Sequence, residues 1–103
     1  MDISGEGLKH LTNLRDLKEL SIGGPNLKDE DFQYFSNMKN LRVLYIHGGS
    51  LTDSCLKYLE DLPNLMTLKI FMENDITDKA LRQLDAKLPN LRTIEIYRNE
   101  KTQ

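Results

Sequence analysis

Residues 41–53 read LRVLYIHGGSLTD, and the opening pattern of this stretch, LxxLxI, decides how the chain is expected to fold. The pattern recurs as LKELSI at 17–22, as LMTLKI at 65–70 and as LRTIEI at 91–96, where Ile94 replaces the middle leucine. The four copies begin 24, 24 and 26 residues apart. A fixed period of this length is typical of a protein built from one small structural unit repeated along the chain.

A second apolar pattern fills the intervals between the LxxLxI segments. Its last three members in each interval are spaced by three or four residues, which is typical of one face of a helix. In LxxLxI, by contrast, the fourth and sixth residues alternate with other side chains and a β-branched isoleucine closes the segment, as in a short strand. Each unit is therefore predicted to be a strand followed by a helix. The aligned apolar residues are Ile3, Leu8, Leu11, Leu14; Leu27, Phe32, Phe35, Met38; Leu51, Leu56, Leu59, Leu62; and Ile76, Leu81, Leu84, Leu88.

Short polar residues mark where these helices begin and end. Asp29, Asp53 and Asp78 stand at one equivalent position before each helical pattern, where a carboxylate is expected to cap free N–H groups of its own helix. Proline cannot continue a helix, and asparagine tolerates the left-handed turn that leads into the next strand. These residues are Pro63 and Pro89 at the helix ends, and Asn40, Asn64 and Asn90 in the turns.

Strands and helices that alternate at a short fixed period stack into a parallel sheet on one side and a row of helices on the other. Over residues 3–99 the sequence resembles the leucine-rich repeat family. It is most similar to short repeats of the form LxxLxLxGxxITDxxLxxLxxLPNL, a form that 41–53 follows and that Ile76-Thr77-Asp78 repeats at its turn. Such repeats are similar to ribonuclease-inhibitor-like, F-box-associated and bacterial ones.

The resemblance implies an α/β fold: a right-handed solenoid with four short parallel strands on the concave face and helices on the convex face. It also implies a protein-binding scaffold. We expect residues 1–103 to form a single domain of about four repeats, the first of which lacks its strand. The same pattern also fits part of a longer array.

The sequence departs from the family pattern in three ways. The position just past each strand usually carries Asn, Cys or Thr, which bonds neighbouring repeats. Here Pro25, Gly49 and the segment 73–75 stand there, so this ladder is expected to be broken. One extra residue before Ile76 and another before Leu88 predict a bulged turn and an irregular helix end near Lys87. No polar capping module is recognisable, so the ends are covered by more repeats, by a partner, or by the first helix and the charged tail 98–101.

Composition excludes several classes of protein. A charged fraction of 29%, a hydrophobic fraction of 39% and a mean hydropathy of -0.51 describe a folded, soluble chain. Fourteen basic against sixteen acidic residues give a net charge of -2, so neither nucleic acid nor an anionic membrane is an expected partner. No apolar run approaches the roughly 20 residues of a membrane span. The single cysteine, Cys55, closes no internal disulfide and favours a cytoplasmic location.

No motif of catalysis or of metal binding is recognisable. His10 and His47 are the only histidines and have no zinc-site spacing, and 29–31 lacks the ligand spacing of a calcium loop. The glycine-rich segments 23–26 and 48–49 match no phosphate-binding motif and are predicted to be turns. We therefore expect no enzyme activity, no metal and no cofactor. Cys55 is expected to be a half-buried filler of the core.

The residues between and just after the strand leucines face away from the core. Two interpretations of this face stay open. Its aromatic residues form either an interaction hot spot or a set of cross-strand contacts that stabilise the sheet by themselves. The candidate partner-binding residues are Tyr45, His47, Lys69, Phe71, Met72, Glu95 and Tyr97.

Four strands provide a face of roughly 300 to 350 Å², whereas a stable interface usually takes about 800 Å² from each partner. We predict a protein–protein interaction module that binds a protein or peptide through this face, with help from turns, helices or a second copy. The alternative is a structural unit that self-assembles through its ends or edge strands. Charged residues near the last strand, such as Arg92 and Glu95, either protect its edge from such pairing or are ordinary solvated residues.

Overall fold

Helices and strands alternate along the chain in the computed structural model, which describes residues 5–11, 14–24, 27–47, 51–71 and 76–96. The strands form one four-stranded parallel sheet in the order β1-β2-β3-β4. The α/β class and the four parallel strands predicted from the sequence are thereby confirmed. The elements are α1 (Gly5–Leu11), β1 (Glu19–Gly23), η1 (Asp29–Asn37), β2 (Val43–His47), η2 (Asp53–Asp61), β3 (Thr67–Phe71), α2 (Asp78–Lys87) and β4 (Thr93–Ile96), where η denotes a 3₁₀ helix.

The strands pair without any slip in register. Leu20, Leu44, Leu68 and Ile94 lie side by side across the sheet, so each LxxLxI segment occupies the same place in its own strand. Their side chains, with those of the isoleucines two residues on, point to the core that the helices also line. This pairing follows from the period-2 pattern, because a slip of one residue would turn the leucines out to solvent.

The helices begin at residues 29, 53 and 78 as the apolar pattern predicts, but two of them are not α-helices. In η1 and η2 the buried side chains are spaced by three residues, as Phe32 and Phe35 and as Leu56 and Leu59. Three residues per turn is the period of a 3₁₀ helix, which keeps such residues on one line. In α2, Leu84 is buried, the buried Leu88 that caps the helix lies four residues further on, and the helix is α.

The last interval contains the extra residue, and its helix is one residue longer than η1 and η2 and is of the α type. The irregular helix end predicted near Lys87 is wrong, because the N–H of Leu88 donates to the carbonyl of Leu84 in the normal α-helical pattern. The predicted bulge before Ile76 falls on 72–75, which lie outside the described residues.

One predicted core position is wrong. Leu14 is 50% exposed, whereas Leu8 in the same apolar set is completely buried. The reason is that α1 ends at Leu11, so Leu14 lies in the following turn, where its N–H donates to the carbonyl of Leu11. Ile3, the first member of that set, lies outside the described residues.

Asp29 and Asp53 play a different part from the one predicted. The cap residue of η2 is Thr52, and that of α2 is Thr77, whose hydroxyl accepts from the backbone N–H of Ala80 at 3.2 Å. Asp29 and Asp53 are already the first helical residues, and their carboxylates reach forward to the next unit. Asp29 accepts from the N–H of Thr52 at 2.8 Å and also from its hydroxyl.

The turn asparagines also join neighbouring units. The side-chain amide of Asn40 donates to the carbonyl of Arg15 at 2.9 Å, that of Asn64 to Lys39 at 2.9 Å, and that of Asn90 to Pro63 at 3.0 Å. A broken ladder was predicted at 25, 49 and 73–75, which lie outside the described residues. Cross-unit side-chain bonds exist among the described residues, in the turns before β2, β3 and β4 and at the starts of η2 and α2.

Candidate protein-interaction face

Five of the seven candidate residues lie next to one another on the face of the sheet that points away from the core. Tyr45, Lys69 and Glu95 are aligned across β2, β3 and β4, and His47 is aligned with Phe71 one step further along. The other two candidates, Met72 and Tyr97, lie outside the described residues.

The aromatic rings of this face contact each other across strands. The imidazole of His47 stacks on Phe71, with ring centroids 4.7 Å apart and planes inclined by 10°. Tyr45 meets the same ring edge to face, at 6.4 Å and 81°. Both arrangements are favourable aromatic geometries, worth about 0.5–1.5 kcal/mol per pair. Phe71 is therefore the centre of the aromatic group.

Polar contacts extend this group to the outer strands. The Oγ of Ser21 lies 3.3 Å from Nε2 of His47, at hydrogen-bonding distance. On the other side, Nζ of Lys69 lies 5.6 Å from the centre of the Tyr45 ring and 3.6 Å from Oε1 of Glu95. We call the set Ser21, Tyr45, His47, Lys69, Phe71 and Glu95 the cross-strand row, because its members connect all four strands.

The cross-strand row remains open to solvent in part. Tyr45, Lys69, Phe71 and Glu95 are half-buried, and His47 is exposed. Its internal contacts are those expected from cross-strand packing, and the exposed parts of the rings are what a partner could cover. The Lys69–Glu95 pair contributes little stability by itself, since both side chains are partly solvated, at 28% and 40% exposure.

Gly23 is a further determinant of this face: it was predicted to lie in the turn 23–26, but it is the last residue of β1. A Cβ at Gly23 would lie 2.4 Å from the backbone oxygen of His47 and 2.7 Å from its Cβ. Glycine is therefore required there for β2 to approach β1 at the position of His47. The signal in the sequence is that Gly23 occupies the strand position that His47 and Phe71 occupy in β2 and β3.

A groove of about 320 Å³ between η2 and α2 is a second feature that the sequence did not predict. Its walls include Lys57, Glu60, Lys79 and Gln83. The groove lies where the strand spacing changes from 24 to 26 residues and a 3₁₀ helix packs beside an α-helix. Nζ of Lys87 lies 3.6 Å from Oε1 of Glu60, so these two side chains form an ion pair.

Cys55 is fully buried rather than half-buried as predicted. Burial raises the pKa of its thiol well above the ordinary value, and the charges of Asp29 and Asp53 raise it further. The thiolate is the reactive form of cysteine, so Cys55 is a packing residue and not a nucleophile.

The part of the chain that the structure describes has neither a cluster of metal ligands nor a membrane-spanning helix. There, no three His, Cys, Asp or Glu side chains converge as metal ligands. Within the same ranges, no helix has the length and apolar character needed to cross a membrane.

No protein-family model matches this sequence, and no curated protein matches it significantly. A function has to be inferred from the geometry of the sheet face and from the packing of the units.

Proposed function

We propose that this chain is a right-handed leucine-rich-repeat solenoid that binds a protein or peptide through a concave sheet face. The observation that carries the proposal is the cross-strand row, a connected and partly exposed group of aromatic and polar side chains on one side of the sheet. Aromatic residues held in this way are common hot spots, because they bury a large area and lose little entropy on binding.

The bonds between units support the solenoid. The Asn64 amide bonds the carbonyl of Lys39, and the Asn90 amide bonds that of Pro63, so the same contact recurs from one unit to the next. The Asp29–Thr52 contact recurs likewise as Asp53–Thr77. In a solenoid each unit contacts only its neighbours, which is the pattern these bonds follow.

Preorganisation supports binding through the face. The Phe71 ring stacks on the His47 ring and makes a T-shaped contact with the Tyr45 ring. The close packing of Gly23 against His47 fixes the position of the His47 backbone. Side chains that are already ordered lose less entropy when a partner covers them. The two interpretations of the sheet face, cross-strand packing and partner binding, are therefore compatible.

We further propose a cytoplasmic location. The only cysteine of the chain is buried in the core, as suits a protein that does not use disulfides for stability.

A comparison of captured proteins tests the proposed function. The chain is immobilised, exposed to an extract of the cells that encode it, and the retained proteins are identified by mass spectrometry. Three forms are compared: the unaltered chain, Phe71→Ala on the sheet face, and Lys57→Ala on η2 as the matched control. We expect proteins that the unaltered chain and Lys57→Ala retain and that Phe71→Ala loses. An identical set for all three folded forms contradicts the proposal.

A further inference from the structure

The two ends of the sheet differ in how their core side chains are covered. At the first end α1 packs on η1, and Leu8 and Ile22 are completely buried. At the other end all four residues of β4 are only half-buried. Ile94 and Ile96 belong to this strand, although their neighbours in β3 are fully buried. The end of the sheet at β4 therefore leaves apolar surface partly open.

The first unit lacks the group that would let it stack on the last one. Asn90 donates its amide to the carbonyl of Pro63, and Pro89 stands at the position of Pro63 in the last turn. In the first unit Asp16 stands at the asparagine position. A carboxylate has no proton to donate to the carbonyl of Pro89, so this contact cannot continue from one copy of the chain to the β1 end of another.

The start of η1 in the first unit also makes a different contact from the start of η2 in the following unit. Lys28 stands where Thr52 stands in the following unit, and its N–H already donates to the carboxylate of Asp31 at 2.9 Å. The N–H of Thr52, in contrast, donates to Asp29 of the preceding unit. These two differences disfavour head-to-tail stacking of one copy of the chain on another.

We propose that two copies of this chain pair antiparallel through their β4 strands, around a two-fold axis perpendicular to the sheet. The N–H of Thr93 donates to Met66 at 3.0 Å, so the alternation of a strand directs the N–H and C=O of Ile94 away from β3, to the edge of β4 that no other described strand pairs with. The strand contains neither proline nor lysine, the residues that commonly block an exposed edge.

The sequence of β4 is self-complementary in one register. Centring the pair on Ile94 places Thr93 opposite Glu95 of the second copy, so that a hydroxyl faces a carboxylate on the sheet face. Centring it on Glu95 would place two carboxylates opposite each other, which is unfavourable. The register centred on Ile94 also brings the half-buried isoleucines of both copies together on the core side.

Pairing through β4 also enlarges the sheet face that is available to a binding partner. This step rests on the proposed function. The two-fold axis keeps both sheet faces on the same side, so eight strands provide roughly 600 to 700 Å² in place of 300 to 350 Å². This area approaches the roughly 800 Å² that a stable interface takes from each partner. A second copy of the chain at the β4 edge therefore brings the sheet face close to the area that binding a partner requires.

The mass of the purified full chain, measured by light scattering behind a sizing column over a hundredfold range of concentration, tests the proposal. We expect a limiting mass of about twice 11.9 kDa. Thr93→Glu places two pairs of like charges across the interface and should raise the dissociation constant roughly tenfold. Thr93→Lys, which faces Glu95 with the opposite charge, should leave the dimer intact. Glu19→Lys, at the equivalent position of β1, is the control and should also remain a dimer.

Three outcomes overturn the pairing through β4. They are a monomer at every concentration, a dimer that Thr93→Glu leaves unchanged, and a mass that keeps growing beyond the dimer. The last would indicate an open-ended assembly instead of a closed pair. Phe71→Ala, a substitution away from the β4 edge, tests the proposed function separately. A variant that remains a dimer but no longer retains the captured proteins would show that partner binding and pairing through β4 depend on different residues.

Discussion

The carboxylate of Asp53 accepts two hydrogen bonds from Thr77, one from its backbone N–H at 2.7 Å and one from its hydroxyl at 2.9 Å. Thr77 in turn caps α2 by accepting from the N–H of Ala80. One aspartate therefore fixes the threonine that starts the next helix. The starts of η2 and α2 are thereby each coupled to the unit before them, and these bonds between units are local and polar.

Removal of this carboxylate should loosen the contact between η2 and α2. We expect Asp53→Ala to lower the free energy of unfolding by about 1–2 kcal/mol, since hydrogen bonds to a charged group are stronger than neutral ones. Urea denaturation followed by circular dichroism measures the change. Asp85→Ala, an exposed aspartate on α2, is the matched control and should change stability by less than about 0.5 kcal/mol. Equal effects of the two substitutions would show that the Asp53–Thr77 contact does not stabilise the fold.

A methyl group at Gly23 should force β1 and β2 apart near His47. We expect Gly23→Ala to lower the free energy of unfolding by about 1–3 kcal/mol, the usual cost of overpacking. It should also displace the His47 ring, so the chemical shifts of the His47 and Phe71 ring protons should change. Ser21→Ala removes only the hydroxyl beside His47 and serves as the control. A Gly23→Ala chain as stable as the Ser21→Ala chain would contradict the close approach.

Alanine substitutions measure how much the burial of Leu14 and of the strand leucines contributes to stability. Leu44 is fully buried, and Leu44→Ala should cost about 2–5 kcal/mol through lost burial and the cavity left behind. Leu14 is 50% exposed, and Leu14→Ala should cost less than about 1 kcal/mol. Thermal unfolding of the two variants checks this order. A large loss for Leu14→Ala would restore its predicted place in the core.

The thiol of Cys55 should react slowly with thiol reagents in the folded chain. Burial and the nearby carboxylates raise its pKa, so the thiol stays protonated at pH values where a free cysteine ionises. Labelling with a chromogenic disulfide should therefore be slow in buffer and fast in denaturant. Fast labelling of the native chain at neutral pH would show that Cys55 is accessible after all.

The same shift has a consequence for stability at alkaline pH. The folded state retains the Cys55 proton and the unfolded state loses it above the ordinary thiol pKa, so stability should fall as the pH rises through that value. Cys55→Ala should lose this alkaline dependence, although the cavity lowers its stability at every pH. The measurement is urea denaturation at several pH values. An unaltered slope in Cys55→Ala would assign the dependence to other groups.

Replacement of Phe71 should affect binding far more than folding. Its ring contacts lie outside the core, and we expect Phe71→Ala to lower the free energy of unfolding by about 1–3 kcal/mol, the value of two aromatic pairs. Urea denaturation checks this value. A variant that fails to fold would show that the ring belongs to the structural core of the sheet.

The alternation of strand and helix could be predicted because every LxxLxI segment carries the same period-2 pattern. The helix positions followed from the apolar columns, but the helix type did not, because three-residue spacing occurs both in the 3₁₀ helix η1, as Phe32 and Phe35, and in the α-helix α1, as Leu8 and Leu11. Five candidate residues of the sheet face were brought together because parallel strands in register align equal positions. The partners of Asp29 and Asp53 could not be predicted, since a carboxylate before a helix has two sets of donors within reach.

By itself, the sequence determined the four strands, the positions of the helices that follow the first three, and the face on which Tyr45, His47 and Phe71 lie, because periodic burial leaves one pairing that hides every leucine. Only the tertiary structure decided which contacts those residues make: that Phe71 contacts both His47 and Tyr45, that Gly23 must be glycine, and that β4 remains half-buried. These contacts depend on the distances between side chains of different units, and a periodic pattern in one chain does not contain those distances.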